Sequence, residues 1–161
     1  SYHFKQGQSA LKAVTYLMKA GEKSLRRYAV EEAHQYYQEA YDLILNKTDK
    51  TREDELLLID VVLEWSMVFY YRADCKSWEK LFSDHRVLAE TANDNERLGM
   101  FYAWLGLCLF FREKFADSYT YLHNAFKIGK ELENQKIRTR CGWQAVGGNA
   151  RQRHVERRGR S

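Results

Sequence analysis

Residues 102–130 read YAWLGLCLFFREKFADSYTYLHNAFKIGK, and this stretch decides the fold. Leu105, Gly106 and Leu109 recur at helical spacing before a short polar break, and Phe115, Ser118, Leu122, Ala125 and Phe126 do so after it. Two helices folded back into a hairpin account for that pattern. A glycine facing a small residue lets the helices approach closely, and the flanking aromatics fill the space around the contact. The remainder of the chain reads as imperfect copies of this unit.

The 161 residues fit one domain of ordinary size, and with 45% hydrophobic and 30% charged residues a soluble globular protein is expected. No apolar run approaches the roughly 18 residues of a membrane span, and Leu105 to Phe111 is much too short. The opening SYHFKQGQS has neither the basic leader nor the apolar core of a signal peptide. A start at Ser1 without methionine suggests processing or a segment cut from a longer chain. Cys75, Cys108 and Cys141 are odd in number and widely spaced, which suits neither a disulfide framework nor a zinc site and favours a reducing, cytoplasmic setting. Proline is absent and β-branched residues are sparse, so an all-α chain is expected.

Charge is unevenly distributed. From Arg138 to Ser161 there are seven arginines against one acid, Glu156, a balance of +6; the whole chain is +4, so the part from Ser1 to Ile137 carries −2. The basic character belongs to the C-terminal segment alone.

Taken in order, Gln8–Tyr28 is expected as a first helix with Ser9 as its N-cap, followed almost without linker by Val30–Leu45. After the polar break NKTDK, Thr51 and Asp54 have the spacing of a capping box. A third helix over about Asp54–Arg72 is apolar around much of its circumference, as expected of a helix buried between neighbours. Asp74 to Ser77 makes a turn, a fourth helix carries Trp78, Leu81, Phe82, His85, Leu88 and Ala89, and Ala92–Asn95 separates it from the hairpin first described. The expectation is six helices in hairpins at about 9–45, 54–92 and 95–133, forming a helical domain over 1–137. Residues 138–161 then form a basic, disordered tail with no seventh helix, although so abrupt a change of character also suits a shifted reading frame.

Gly21 is followed by Val30, Ala33, Tyr37 and Ala40, and Gly106 by Phe115, Ser118, Leu122 and Ala125, at positions i+9, i+12, i+16 and i+19 in both cases. That agreement resembles the tetratricopeptide repeat. The middle hairpin fits less well, with Phe69 at the glycine position and Leu81 at the alanine position, which implies a wider helix separation there. Gly21 and Gly106 lie further apart than two repeats of about 34 residues each would place them, so lengthened helices or loops are expected. Such long repeats resemble those following the ATPase module of bacterial signalling proteins, including class III adenylate or guanylate cyclases; YLMKAGEKSLRRYAVEEAHQYYQEAYDLI and LAETANDNERLGMFYAWLGLCLFFREKFADSYTYLHNAFKIGKEL carry that similarity. The resemblance covers about residues 9–133 and implies a right-handed superhelical stack of antiparallel hairpins. The chain holds no GxxxxGK[ST] phosphate loop, so a parent's ATPase or cyclase activity does not transfer to it.

The resemblance also implies a groove lined by the first helix of each hairpin. The matching positions are Met18, Glu22, Leu25 and Arg26 in the first, Ser66, Tyr70 and Asp74 in the second, and Leu107, Phe110 and Phe111, beside Ala103, in the third. Met18 and Glu22 stand where chaperone-binding members carry lysine and asparagine, which argues against a carboxylate clamp. The expected role is therefore non-catalytic protein–protein interaction or regulation within a larger signalling protein. Partners would be a peptide, an adjoining domain or a second copy, with no membrane. No cofactor, metal site or catalytic residue is expected: no two histidines have helical metal-ligand spacing, and His85 beside Asp84 reads as a partly exposed helical histidine. The acidic run Arg52–Glu55 reads as helix-start electrostatics, and Cys108 as a core residue. The alternative is binding of nucleic acid or an anionic surface through the arginine-rich tail, with Trp143 its one aromatic.

Overall fold

The computed structural model describes residues 2–139, which are helical throughout apart from turns, with no strand among them. Six helices run α1 Tyr2–Arg26, α2 Val30–Leu45, α3 Arg52–Arg72, α4 Cys75–Thr91, α5 Asn95–Phe111 and α6 Phe115–Glu131. The residues divide between Asn93 and Asp94 into two compact units. In the first, α1 packs on α2, α2 on α3 and α3 on α4, and α1 also reaches α3; in the second, α5 packs on α6.

The first and last hairpins close at their glycines. A Cβ on Gly21 would lie 2.7 Å from the Tyr37 ring, and one on Gly106 would lie 2.6 Å from Leu122 Cγ. The Ser118 hydroxyl donates to the Gly106 carbonyl oxygen at 2.7 Å, so the close approach also satisfies a buried hydroxyl.

All six helices are followed by a non-glycine residue with positive φ: Tyr28, Asp49, Ala73, Asn93, Glu113 and Glu133. These turns correct the register of the middle hairpin. Tyr28 stands at i+7 from Gly21 and Glu113 at i+7 from Gly106, so Ala73 assigns the small position to Ser66 instead of Phe69. Counted from Ser66, positions i+9, i+12, i+16 and i+19 fall on Cys75, Trp78, Phe82 and His85, and Cys75 opens α4 as Val30 opens α2 and Phe115 opens α6. Ser66, Trp78 and Phe82 are fully buried. Trp78 and His85 thus occupy the places of Ala33/Ser118 and Ala40/Ala125. Their bulk agrees with α3 and α4 running less closely together than the helices of the other two hairpins.

Three further expectations change. The α1 helix starts at Tyr2, so Ser9 is an internal residue and not a cap. The α4 helix starts directly after Asp74, whose side chain accepts from the Ser77 backbone N–H at 3.2 Å. Beyond α6 a seventh helical segment begins at 135–139. Asn134 Oδ1 accepts from the Lys136 and Ile137 backbone N–H groups, and Ile137 is fully buried against Ala103, Leu122 and Ala125. The tail expected from 138 otherwise lies outside the described residues, Trp143 included.

The Thr51/Asp54 capping box is present, with both reciprocal bonds. Asp54 is fully buried and also ion-paired with Lys47, while Lys50 Nζ donates to the carbonyl oxygens of Leu45 and Lys47 at 2.6 and 2.8 Å. One short loop therefore fastens the end of α2 to the start of α3.

Candidate binding surface

The register explains where the groove positions lie. Ser66 is fully buried and donates to the Val62 carbonyl oxygen of its own helix, so it forms no part of an open surface, whereas Asp74 is half-buried and caps α4. Met18 and Leu107 are buried, Leu25 and Phe110 are half-buried, and Glu22, Arg26, Tyr70 and Phe111 are exposed. Glu22 and Arg26 pair with each other at 2.7 Å. In the corrected register the positions equivalent to Glu22, Leu25 and Arg26 are Met67, Tyr70 and Tyr71 in α3, and Leu107, Phe110 and Phe111 in α5. An adjacent aromatic pair thus recurs at the same place in two successive hairpins.

In the first unit these rings form a cluster. Tyr28, in the α1–α2 turn, meets Tyr71 edge-on at a centroid distance of 6.3 Å, and Tyr71 meets Tyr70 at 5.7 Å. Sequence reasoning misses Tyr28 and Tyr71. A single turn residue leaves no periodic trace, and Tyr71 enters the groove set only once Ser66 replaces Phe69 as the small position. In the second unit Phe110 lies 5.9 Å from Phe111 and 5.5 Å from Phe115, again edge-on.

Along α3, Asp60, Glu64, Met67 and Tyr71 fall on one face, at successive steps of i+4, i+3 and i+4. Glu64 lies close enough to Asp60 of α3 and Glu22 of α1 for their charges to act on it, and the buried Tyr37 of α2 reaches its carboxyl. Burial first, then the charges of Asp60 and Glu22, push the Glu64 carboxyl up to about 7. Burial and the same two glutamates, Glu64 and Glu22, raise the Tyr37 hydroxyl.

Partly buried polar contacts tie α2 to α3 and to α4. Trp65 Nε1 donates to His34 Nδ1 at 3.1 Å, and burial followed by the charge of Arg72 lowers the His34 pKa, favouring the neutral ring this bond requires. His85 is buried, contrary to the expected partly exposed residue. Its Nδ1 lies 2.8 Å from the Leu81 carbonyl oxygen and must donate, which leaves Nε2 to accept from the Tyr41 hydroxyl at 3.2 Å. Asp84 instead pairs with Lys80 at 2.8 Å. Neither histidine is arranged as a base beside a nucleophile. Among the described residues no three His, Cys, Asp or Glu side chains are grouped to hold a metal ion, and no helix is long and apolar enough to cross a membrane. Compared with family models and with curated proteins, the chain matches none.

Proposed function

We propose that this chain is a non-catalytic interaction segment, a tetratricopeptide-like stack of hairpins within a larger signalling protein of the ATPase or cyclase type. The observation that carries the reading is the recurrence of adjacent aromatic pairs, Tyr70–Tyr71 and Phe110–Phe111, at one register position of successive hairpins. Rings held partly in water on packed helices are apolar area ready to be buried by a partner. The equal closure intervals of the first and last hairpins, and the positive-φ turn residue at the matching position of all three, support the repeat architecture, and the engagement of His34 and His85 in structural hydrogen bonds supports a binding role over a catalytic one.

Selection from a displayed random-peptide library on the immobilised chain tests this. The expected result is a shared motif whose binding falls at least tenfold in Tyr70→Ala/Tyr71→Ala or in Phe110→Ala/Phe111→Ala, with helical circular dichroism retained. Absence of enrichment, or a motif indifferent to both pairs of substitutions, overturns the reading.

A further inference from the structure

We propose that one face of α6 pairs with the same face of a second copy of this chain, the two helices antiparallel about a twofold axis. This surface is separate from the aromatic pairs of the binding reading, and the pairing goes beyond that reading. Phe115, Tyr119, Leu122 and Phe126 follow one another at steps of four, three and four residues, the spacing of a seam between two helices, and Lys130 continues the stripe one turn on. Leu122 is turned into the hairpin, whereas Phe115, Tyr119 and Phe126 are 53%, 69% and 38% exposed. His123 stacks on the Tyr119 ring at a centroid distance of 6.0 Å, and Phe110 meets Phe115 edge-on at 5.5 Å, so neighbours within the unit hold both rings.

The first hairpin shows what kind of element covers this face. Counted from the closing glycines, Phe115, Tyr119 and Phe126 stand where α2 has Val30, His34 and Tyr41. Those three are half-buried, and α3 lies across the two rings: Trp65 packs on His34 at 5.5 Å and on Tyr41 at 5.4 Å, and Phe69 meets His34 at 5.9 Å. The cover is a helix presenting two aromatic side chains one turn apart, Trp65 and Phe69. Phe115 and Tyr119 have that same spacing, so α6 carries both the face and the kind of ridge that fills it. A self-complementary surface is met by a second copy across a twofold axis. With the axis between Leu122 and His123, Tyr119 of each copy falls opposite Phe126 of the other, and Phe115 opposite Lys130. Lys130 is exposed and enters no ion pair among the described residues, and in this register its ammonium meets an aromatic ring. Parallel pairing would set each Lys130 against its twin. At about 200 Å² for a whole ring, the three exposed rings amount to about 300 Å² per copy, against roughly 800 Å² per partner in a stable interface. Dimer and monomer are therefore expected to exchange with concentration.

Sedimentation velocity of the full chain over a concentration series tests this. The mass is expected to rise reversibly from one chain towards two. Tyr119→Ala should weaken association at least fivefold with helical circular dichroism retained, while Tyr16→Ala, at a ring of α1 that is 72% exposed, should leave it unchanged. Phe115→Lys sets two ammonium groups opposite each other at each end of the seam and should weaken association at least tenfold. Adding Lys130→Glu to that variant should recover most of the loss, a rescue that only the antiparallel register provides. A chain that stays monomeric at every concentration leaves the face to another occupant and overturns the proposal. A dimer indifferent to Tyr119→Ala, or a loss in Phe115→Lys that Lys130→Glu does not relieve, overturns it too. None of these substitutions falls in the pairs Tyr70–Tyr71 and Phe110–Phe111. A monomer whose selected peptides still depend on those pairs therefore removes the dimer and leaves the binding reading standing.

Discussion

A methyl group added to Gly106 would sit 2.6 Å from Leu122 Cγ and 3.2 Å from the Leu122 backbone nitrogen. Backbone cannot step aside as a side chain can, so α5 and α6 would have to separate. At Gly21 the obstacle is the Tyr37 ring, fixed by complete burial. Overpacking of this kind costs about 1–3 kcal/mol. Gly106→Ala and Gly21→Ala should therefore each lower the urea midpoint by that equivalent without changing the slope. Gly7→Ala is the contrast, because its nearest neighbour is the end of the Lys47 side chain at 3.7 Å. There the better helix former should be neutral or stabilise by up to about 1 kcal/mol. A neutral Gly106→Ala would show that the hairpin closes through something other than this contact. These two closures are legible in the sequence because a glycine and its partner in the following helix recur together at one interval. Ser66 is not, because serine alternates between many roles, whereas Phe69 and Leu81 offer a plausible apolar pattern one helical turn away.

Helix ends are readable where an apolar period meets a distinct polar break; a capping side chain alone is not enough, as Asp74 and Asn134 show. The bounds of α2 and the Thr51/Asp54 box agree with their spacing, because apolar periodicity stops where the loop chemistry begins. The start of α1 carries no such mark, and the seventh helical segment hides behind a single capping asparagine followed by an arginine-rich sequence. The loop between α2 and α3 concentrates its stabilisation in Asp54. Burial alone would raise its pKa, but hydrogen bonds from Lys47 and from the Thr51 backbone and hydroxyl outweigh that and hold it below the ordinary carboxylate value. With a depressed folded pKa, the contribution is present above the unfolded value and is lost as pH falls through the folded one. Asp54→Ala removes the cap and strands Lys47, and should cost about 1–3 kcal/mol at neutral pH. The penalty should shrink as the medium is acidified below the unfolded value, measured by chemical denaturation at each pH. A penalty independent of pH would mean that packing of the side chain, and not its charge, holds the loop.

Over the whole molecule the distribution of charge becomes readable only after folding. The sequence shows an acidic body but not the gathering of carboxylates beside the tyrosine cluster, since Glu22 and Glu64 are distant in the chain and become neighbours only when α1 packs on α3. The pH dependence of folding should register it. The Glu64 carboxyl has its ordinary value of 4.5 in the unfolded chain and is pushed up to about 7 on folding. Between those values the folded state binds more protons, so raising pH through the window lowers stability, and the loss is complete above it. His34 acts in the opposite sense. Burial and Arg72 lower its folded pKa below 6.5, so acidification below that value favours the unfolded chain. Because the two slopes oppose, the parent profile alone does not distinguish them, and the comparison with Glu64→Gln does. The amide keeps the shape and an acceptor for the Tyr37 hydroxyl but cannot ionise. The variant should match the parent chain at a pH below the unfolded value, gain stability relative to it steadily through the window, and keep a constant advantage above the folded value. A difference that does not vary with pH would show that Glu64 titrates as it would in open water, and the crowding of Glu22, Asp60 and Glu64 would lose its energetic meaning.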